Sequence, residues 1–193
     1  MSERRKVALR LLHDREHYEQ LVDRAIREAQ VSVWIATANV KELLVEAPVG
    51  TRDRARGRYQ SIVVLLADLV RRGVEVRLLH ATAPSRRFEA ARRRLDDRLS
   101  SALDLRQCPR NHLKMVAVDG ALLYLGSANL TGAGLGAKGD GRRNFETGIV
   151  TDDEGLLDEM QARFDHIFRG RACNGCRLRA ECPLPLDELI RAG

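Results

Sequence analysis

Aromatic side chains are scarce, with one Trp, three Tyr and four Phe in 193 residues. So few ring faces exclude a binder that stacks one base after another, and any nucleic-acid contact must lean on the phosphate backbone. No run approaches the roughly 18 apolar residues that cross a bilayer, so no transmembrane segment is expected. The opening MSERRKVALR carries charge without the apolar core of a signal peptide behind it. The expectation is therefore a cytoplasmic protein. Its four cysteines, in a reducing compartment, are metal ligands or free thiols before they are disulfides. No internal repeat is present. A hydrophobic content of 44% suffices to bury a full core in one domain, with at most a short appendage.

Positive charge is in excess, +6 net with 33 Lys and Arg against 27 Asp and Glu. That balance favours a polyanionic partner, nucleic acid first and an anionic membrane surface second.

The densest chemistry lies in residues 111–129, NHLKMVAVDGALLYLGSAN. Asp119-Gly120 between apolar runs is a strong signal for a two-residue hairpin turn. With those two residues in the turn, Val118 pairs with Ala121 and His112 falls opposite Ser127. Period-2 alternation then adds Lys114 and Asn129 to the same face. The other face, Leu113, Met115, Ala117, Leu122 and Tyr124, reads as the buried one. Gly126 would leave room for a ligand near the backbone. Histidine, a fixed cation and two hydrogen-bond donors together make a cradle for a tetrahedral phosphate. Asp119 lies seven strand positions from His112, roughly 23 Å at ~3.3 Å per residue, so it reads as a turn former.

Elsewhere helices and strands alternate. Residues 14–29 read as a helix, 31–40 as a buried strand, 59–72 as a helix, 74–81 as a strand, 86–99 as one helical stripe, 103–108 as a short strand, 144–151 as a strand and 154–168 as an amphipathic helix. The pattern predicts an α/β fold with a mixed β-sheet sandwiched by helices, covering residues 1–170. Residues 171–193 would form a short Cys-rich C-terminal appendage. Arg52 and Arg54 stand in a Pro- and Gly-containing loop, and Arg142 and Arg143 end the Gly-rich run 131–143, expected as a basic lip over the site. All four are candidates for nucleic-acid phosphates, or else a solvated charge run. His80 and His166 read as structural and surface groups.

The residues His112, Lys114, Asp119, Gly126, Ser127 and Asn129 match the signature H-x-K-x(4)-D followed by G-S-x-N, and the chain thereby resembles the phospholipase D superfamily. The resemblance implies a phosphodiesterase in which one histidine attacks phosphorus and a second protonates the leaving oxygen and then activates water. It implies no metal at the phosphate, since Lys114, Ser127 and Asn129 supply the electrostatics. It also implies that Glu146 fixes the second ring nitrogen of His112. The motif occurs once, so the second histidine must come from another subunit, most simply in a homodimer. Single-motif relatives include a nonspecific nuclease, which favours DNA or RNA as substrate for a small basic member, alone or within a larger repair or defence complex. A cardiolipin or phospholipid phosphodiesterase and a non-catalytic nucleic-acid-binding subunit are the alternatives.

In the tail Cys173, Cys176 and Cys182 stand at C-x(2)-C-x(5)-C, and Cys108 is the one other cysteine available as a fourth ligand. Zinc commonly takes two separated C-x-x-C pairs, and only one is present. The spacing resembles the iron-sulfur loops of DNA-processing enzymes and implies a [4Fe-4S] cluster, with zinc and then free thiols as alternatives.

Overall fold

The computed structural model describes residues 6–191, so the outermost residues of the two expected segments, 1–5 and 192–193, lie outside the described residues. Seven strands form one mixed sheet in the order β1-β9-β8-β7-β2-β5-β6. They are β1 (Arg10–His13), β2 (Ser32–Thr37), β5 (Glu75–His80), β6 (Leu103–Gln107), β7 (Met115–Val118), β8 (Leu122–Gly126) and β9 (Thr147–Thr151). β2, β5 and β6 run parallel, whereas β7, β8, β9 and β1 pair antiparallel. A separate two-stranded ribbon joins β3 (Leu44–Glu46) to β4 (Tyr59–Ser61).

Helices cover both faces, because the central strands are apolar on both sides. In β2, Val33 and Ile35 face one layer while Ala36 faces the other. The first layer receives Tyr18, Leu21, Val22 and Ile26 of a π-helix (Tyr18–Ile26), together with Ile62, Val63, Leu66 and Leu69 of α2 (Ile62–Arg71). The second packs Met115, Ala117 and Leu123 beneath Leu157, Phe164 and Phe168 of α5 (Glu154–Phe168). Leu186 of the C-terminal α6 (Leu186–Arg191) joins that layer, so the tail is folded onto it. The expected mixed sheet between helices is what the chain forms.

Several local expectations needed correction, each for a local reason. Tyr59–Ser61 opens as a strand, and the Ser61 hydroxyl caps α2 by accepting from the Val63 amide. The stripe expected over 86–99 is broken into α3 (Arg86–Arg92) and α4 (Asp97–Ala102), because Asp96 accepts from the Leu99 amide and starts a new helix. The arginine loop contains the one-turn α1 (Arg52–Ala55). The Gly-rich run is not a lip throughout: Leu135 is in the core, and Gly134 and Gly136 lie so close to neighbours that a Cβ would stand 2.7 Å from the Asn129 carbonyl and 2.6 Å from Arg15 Cα. Its exposed part is residues 138–142.

The hairpin register is shifted by one residue from the expected one. Val118 pairs with Leu122 and Met115 with Leu125, leaving Asp119, Gly120 and Ala121 in a three-residue loop. Asp119 and Gly120 both adopt left-handed backbone, φ 55° and 64°. The loop is fixed from outside: the Asp119 carboxylate accepts the amides of Gln30 (2.9 Å), Val31 (2.8 Å) and Ser32 (2.9 Å) at the start of β2. Tyr124 and Leu122 consequently share a face with Val116 and Val118, not with Met115 and Ala117. Both faces of the hairpin are buried, and the polar residues gather beyond its open end.

Candidate active site

The site lies where β2 and β5 end, β7 begins and β8 leaves the sheet, the carboxyl edge of the parallel strands where α/β sheets present ligands. Asn111, buried, ties this edge together. Its Nδ2 donates to the carbonyls of Thr37 (2.9 Å) and Leu79 (3.1 Å), and its Oδ1 accepts from the Leu113 amide (3.3 Å). Satisfied on three sides, Asn111 aims the following residue outward. His112 is exposed, and the Lys114 Nζ stands 3.1 Å from its Nε2, 3.3 Å from its Nδ1 and 3.1 Å from its carbonyl oxygen. An ammonium donates only to a ring nitrogen that carries a lone pair. Burial pulls the Lys114 ammonium below the usual lysine range, against the opposing field of Glu146.

Ser127, Asn129 and Glu146 complete the edge, though not by the pairing the sequence led us to expect. With the register shifted, Gly126 lies across from Lys114, its amide donating to the Lys114 carbonyl (3.1 Å). Ser127 has left the strand; its hydroxyl donates to Glu146 and accepts from the Thr147 amide (3.1 Å). The other Glu146 oxygen accepts from Asn144 (3.0 Å). Glu146 was expected to hold His112 and instead holds Ser127, just before β9 begins. Asn129 is oriented by three donors to its Oδ1: the Thr37 hydroxyl (3.2 Å) and the amides of Ala38 (3.1 Å) and Asn39 (3.2 Å). With the oxygen committed, the two Nδ2 hydrogens are the end left to donate to a ligand.

Gly126 has a different reason from the expected ligand approach. A Cβ there would overlap the Tyr124 hydroxyl and come within 2.8 Å of Gly148 Cα, so the space is already filled from within. The Tyr124 phenol, 1% exposed, is pushed well up by burial. Asn111 and Thr37 are site-forming residues that sequence reasoning missed. The buried polar Thr37 at the end of a strand and the Asn immediately before H-x-K were the available signals.

The four arginines separate. Arg54 is not a free phosphate ligand: its guanidinium holds Asp23 at 3.1 and 3.0 Å, Glu46 at 2.5 Å and the Ala47 carbonyl at 3.1 Å. Arg143 pairs with Asp140. Arg52 and Arg142 are exposed. His80 is buried, its Nδ1 at 2.9 Å from the Thr82 carbonyl, and burial lowers its pKa. His166 is exposed on α5.

The cysteines converge from two parts of the chain. Cys108, Cys173, Cys176 and Cys182 all line one cavity of about 80 Å³ between the segment after β6 and the tail. All four are free thiols. Arg110 lies against Cys176 and lowers its thiol pKa, whereas burial and then the other three thiols raise that of Cys182. Among the described residues, no three or more His, Cys, Asp or Glu side chains are gathered tightly enough to hold a metal ion as they stand.

The sheet and its edge define an α/β domain that carries a histidine, a lysine and an oriented amide along one edge. The chain belongs to the phospholipase D-like superfamily: residues 22–168 match the family model "Cardiolipin synthase, PLD-like domain". Membership supports phosphodiesterase activity in general terms. The fold is similar to that of Nuc, a phospholipase D family member from Salmonella typhimurium, at TM-score 0.56 and 18% identity over 83% of this chain and 93% of that one. NucT from Helicobacter pylori is similar at TM-score 0.56 and 16% identity, over 83% of this chain and 94% of NucT. TrmBL2, an archaeal chromatin protein described as binding DNA, is similar at TM-score 0.53 and 15% identity over 83% of this chain and 52% of its own. A comparison with curated protein sequences found no match. The matched residues 22–168 end with α5, so Cys173, Cys176 and Cys182 lie beyond them.

Proposed function

We propose that the chain is a nuclease, a phosphodiesterase that cleaves DNA or RNA through a covalent phosphohistidine on His112, in a site completed by a second copy of the chain. The observation that carries this reading is the exposed His112 ring held against the Lys114 ammonium at 3.1 Å, on the same sheet edge as an Asn129 amide whose oxygen is fixed by three donors. A ring nitrogen of His112 attacks phosphorus and forms an N–P bond as the P–O bond to one nucleotide breaks. The departing oxygen takes a proton from an imidazolium, supplied by the partner copy's own signature histidine because this chain carries the motif once. That second imidazole, now neutral, removes a proton from water; the hydroxide attacks phosphorus, the N–P bond breaks and His112 is restored. Lys114 and the Asn129 amide stabilise the non-bridging oxygens, with Ser127 able to turn its hydroxyl from Glu146 to the phosphate. These groups supply the electrostatics without a metal. The net charge of +6 and the exposed Arg52 and Arg142 favour a polyanion, and the DNA-binding TrmBL2 has a similar fold.

A phospholipid phosphodiesterase is the second reading, favoured by the cardiolipin-synthase description of the family model. Among the described residues, no helix is long and apolar enough to cross a membrane. Purified protein in EDTA is assayed on labelled single-stranded DNA, duplex DNA, RNA and cardiolipin vesicles, beside His112→Ala. Cleavage of a nucleic acid that His112→Ala abolishes, with binding retained, is the expected result. Hydrolysis confined to the vesicles establishes the second reading. Binding of nucleic acid with no turnover on any substrate establishes a non-catalytic subunit.

A further inference from the structure

A second site adjoins the phosphate edge across Asn111, formed by the segment that follows β6 and by the tail. Cys108 comes from one and Cys173, Cys176 and Cys182 from the other, 65 or more positions apart in sequence, yet all four line the same cavity. Nothing in the phosphodiester chemistry uses them. We infer that this cavity is the seat of a polynuclear iron-sulfur cluster, most simply a [4Fe-4S] cluster, ligated by the four cysteine sulfurs.

The cavity has room for a cluster as well as for a single ion. A water needs about 10–15 Å³ of such space, and this cavity has about 80 Å³. Thiolates around one zinc stand ~2.3 Å from it and leave no room between them. Four thiols lining one space fit a group that brings its own iron and bridging sulfide. The surroundings match in polarity. Pro109, Ile167, Leu178 and Leu186 give an apolar wall, which keeps water from the sulfides, and Arg110 and Arg163 supply positive charge toward a net negative thiolate-bound cluster. Each thiol gives up its proton when its sulfur ligates iron.

The position gives the cluster a structural task. The Cys108 amide donates to the His80 carbonyl (2.8 Å) at the end of β5, and the Asn111 amide donates to the Cys108 carbonyl (2.8 Å). Asn111 in turn aims His112. A cluster here ties the tail to the turn that presents His112, through a cavity that Asn111 also lines. At the other end of the tail Gly170, at φ 68°, packs so closely on the Leu186–Asp187 backbone that no side chain fits.

The test is made on the full chain purified without oxygen, with iron, acid-labile sulfide and zinc measured and the visible and reduced electron paramagnetic resonance spectra recorded. The expected result is brown protein with about four iron and four sulfide per chain. Cys108→Ser and Cys176→Ser should each lose most of the iron. Should those variants fail to fold, the wild-type metal content still decides. A second readout is limited proteolysis: oxidative loss of the cluster should expose the chain after residue 168, with the remaining domain intact. Colourless protein, or protein holding one zinc and no iron, overturns the inference. Because every readout is metal content, spectrum or cleavage pattern, the result is independent of whether the protein cleaves nucleic acid.

Discussion

The Asp119 carboxylate is engaged by three amides at the start of β2, at the turn end of the hairpin. Burial alone would raise its pKa, but the amides of Ser32, Gln30 and Val31 outweigh that and hold it below the usual carboxylate value. A carboxyl depressed in the folded state contributes stability that is full above its unfolded pKa of about 3.9 and is lost as pH falls toward the folded value. Asp119→Ala should therefore cost about 1–3 kcal/mol at neutral pH, since charged hydrogen bonds are lost at a partly solvated turn. Asp119→Asn should flatten the acid limb of the stability curve below about pH 4. Both variants should keep their turnover while folded. Denaturant titrations across pH, run beside a cleavage assay, check this, and loss of activity without loss of stability would place Asp119 in the chemistry instead. Arginines divide in the same way. Arg54→Ala should destabilise by opening its ion pairs to Asp23 and Glu46. Arg52→Ala and Arg142→Ala should leave stability unchanged and weaken binding, each lowering the salt dependence by about one ion. Sequence could name these arginines but could not set Arg54 apart, because its acidic partners Asp23 and Glu46 come from the π-helix and β3.

At the scale of elements, legibility followed the strength of local patterning. Residues 154–168 were readable to their ends, since Leu157, Phe164 and Phe168 keep one stripe and Asp153 caps the first turn by accepting from Leu156 (2.7 Å). β1 was invisible: four residues, with Leu12 buried and Leu11 exposed, give too short a period to separate from a loop. The six signature residues were found in the sequence, and the convergence of four of them, His112, Lys114, Ser127 and Asn129, was argued from a register that was one residue out. Asn129 reached the site because the chain turns after Gly126 and Thr37, Ala38 and Asn39 capture its oxygen, a contact about 90 positions away that no local pattern carries. The same turn makes Gly126 a packing residue. Gly126→Ala should drive a methyl into the Tyr124 hydroxyl and the Gly148 backbone, costing about 1–3 kcal/mol by overpacking. A thermal melt of that variant within a degree of wild type would show that the strand relaxes at no cost.

For the whole molecule, the proposed two-histidine mechanism, with one signature histidine per chain, calls for two chains. Phe145, 96% exposed one residue from Glu146, is an apolar ring at the mouth of a polar site, and covering it by a second copy would be worth about 2 kcal/mol. Sedimentation should find a dimer at assay concentrations, and Phe145→Ser should shift it toward monomer with activity falling in step. A fully active monomer would remove the need for a shared site. The central claim, that His112 is the nucleophile, is tested most directly by trapping. Nucleic acid labelled at its phosphates is mixed with the protein in EDTA, quenched within one turnover under alkaline conditions and separated under denaturing conditions. Label should remain on the wild-type chain in an acid-labile linkage and be absent from His112→Asn. Equal labelling of the variant, or cleavage by it at the wild-type rate, would contradict the account.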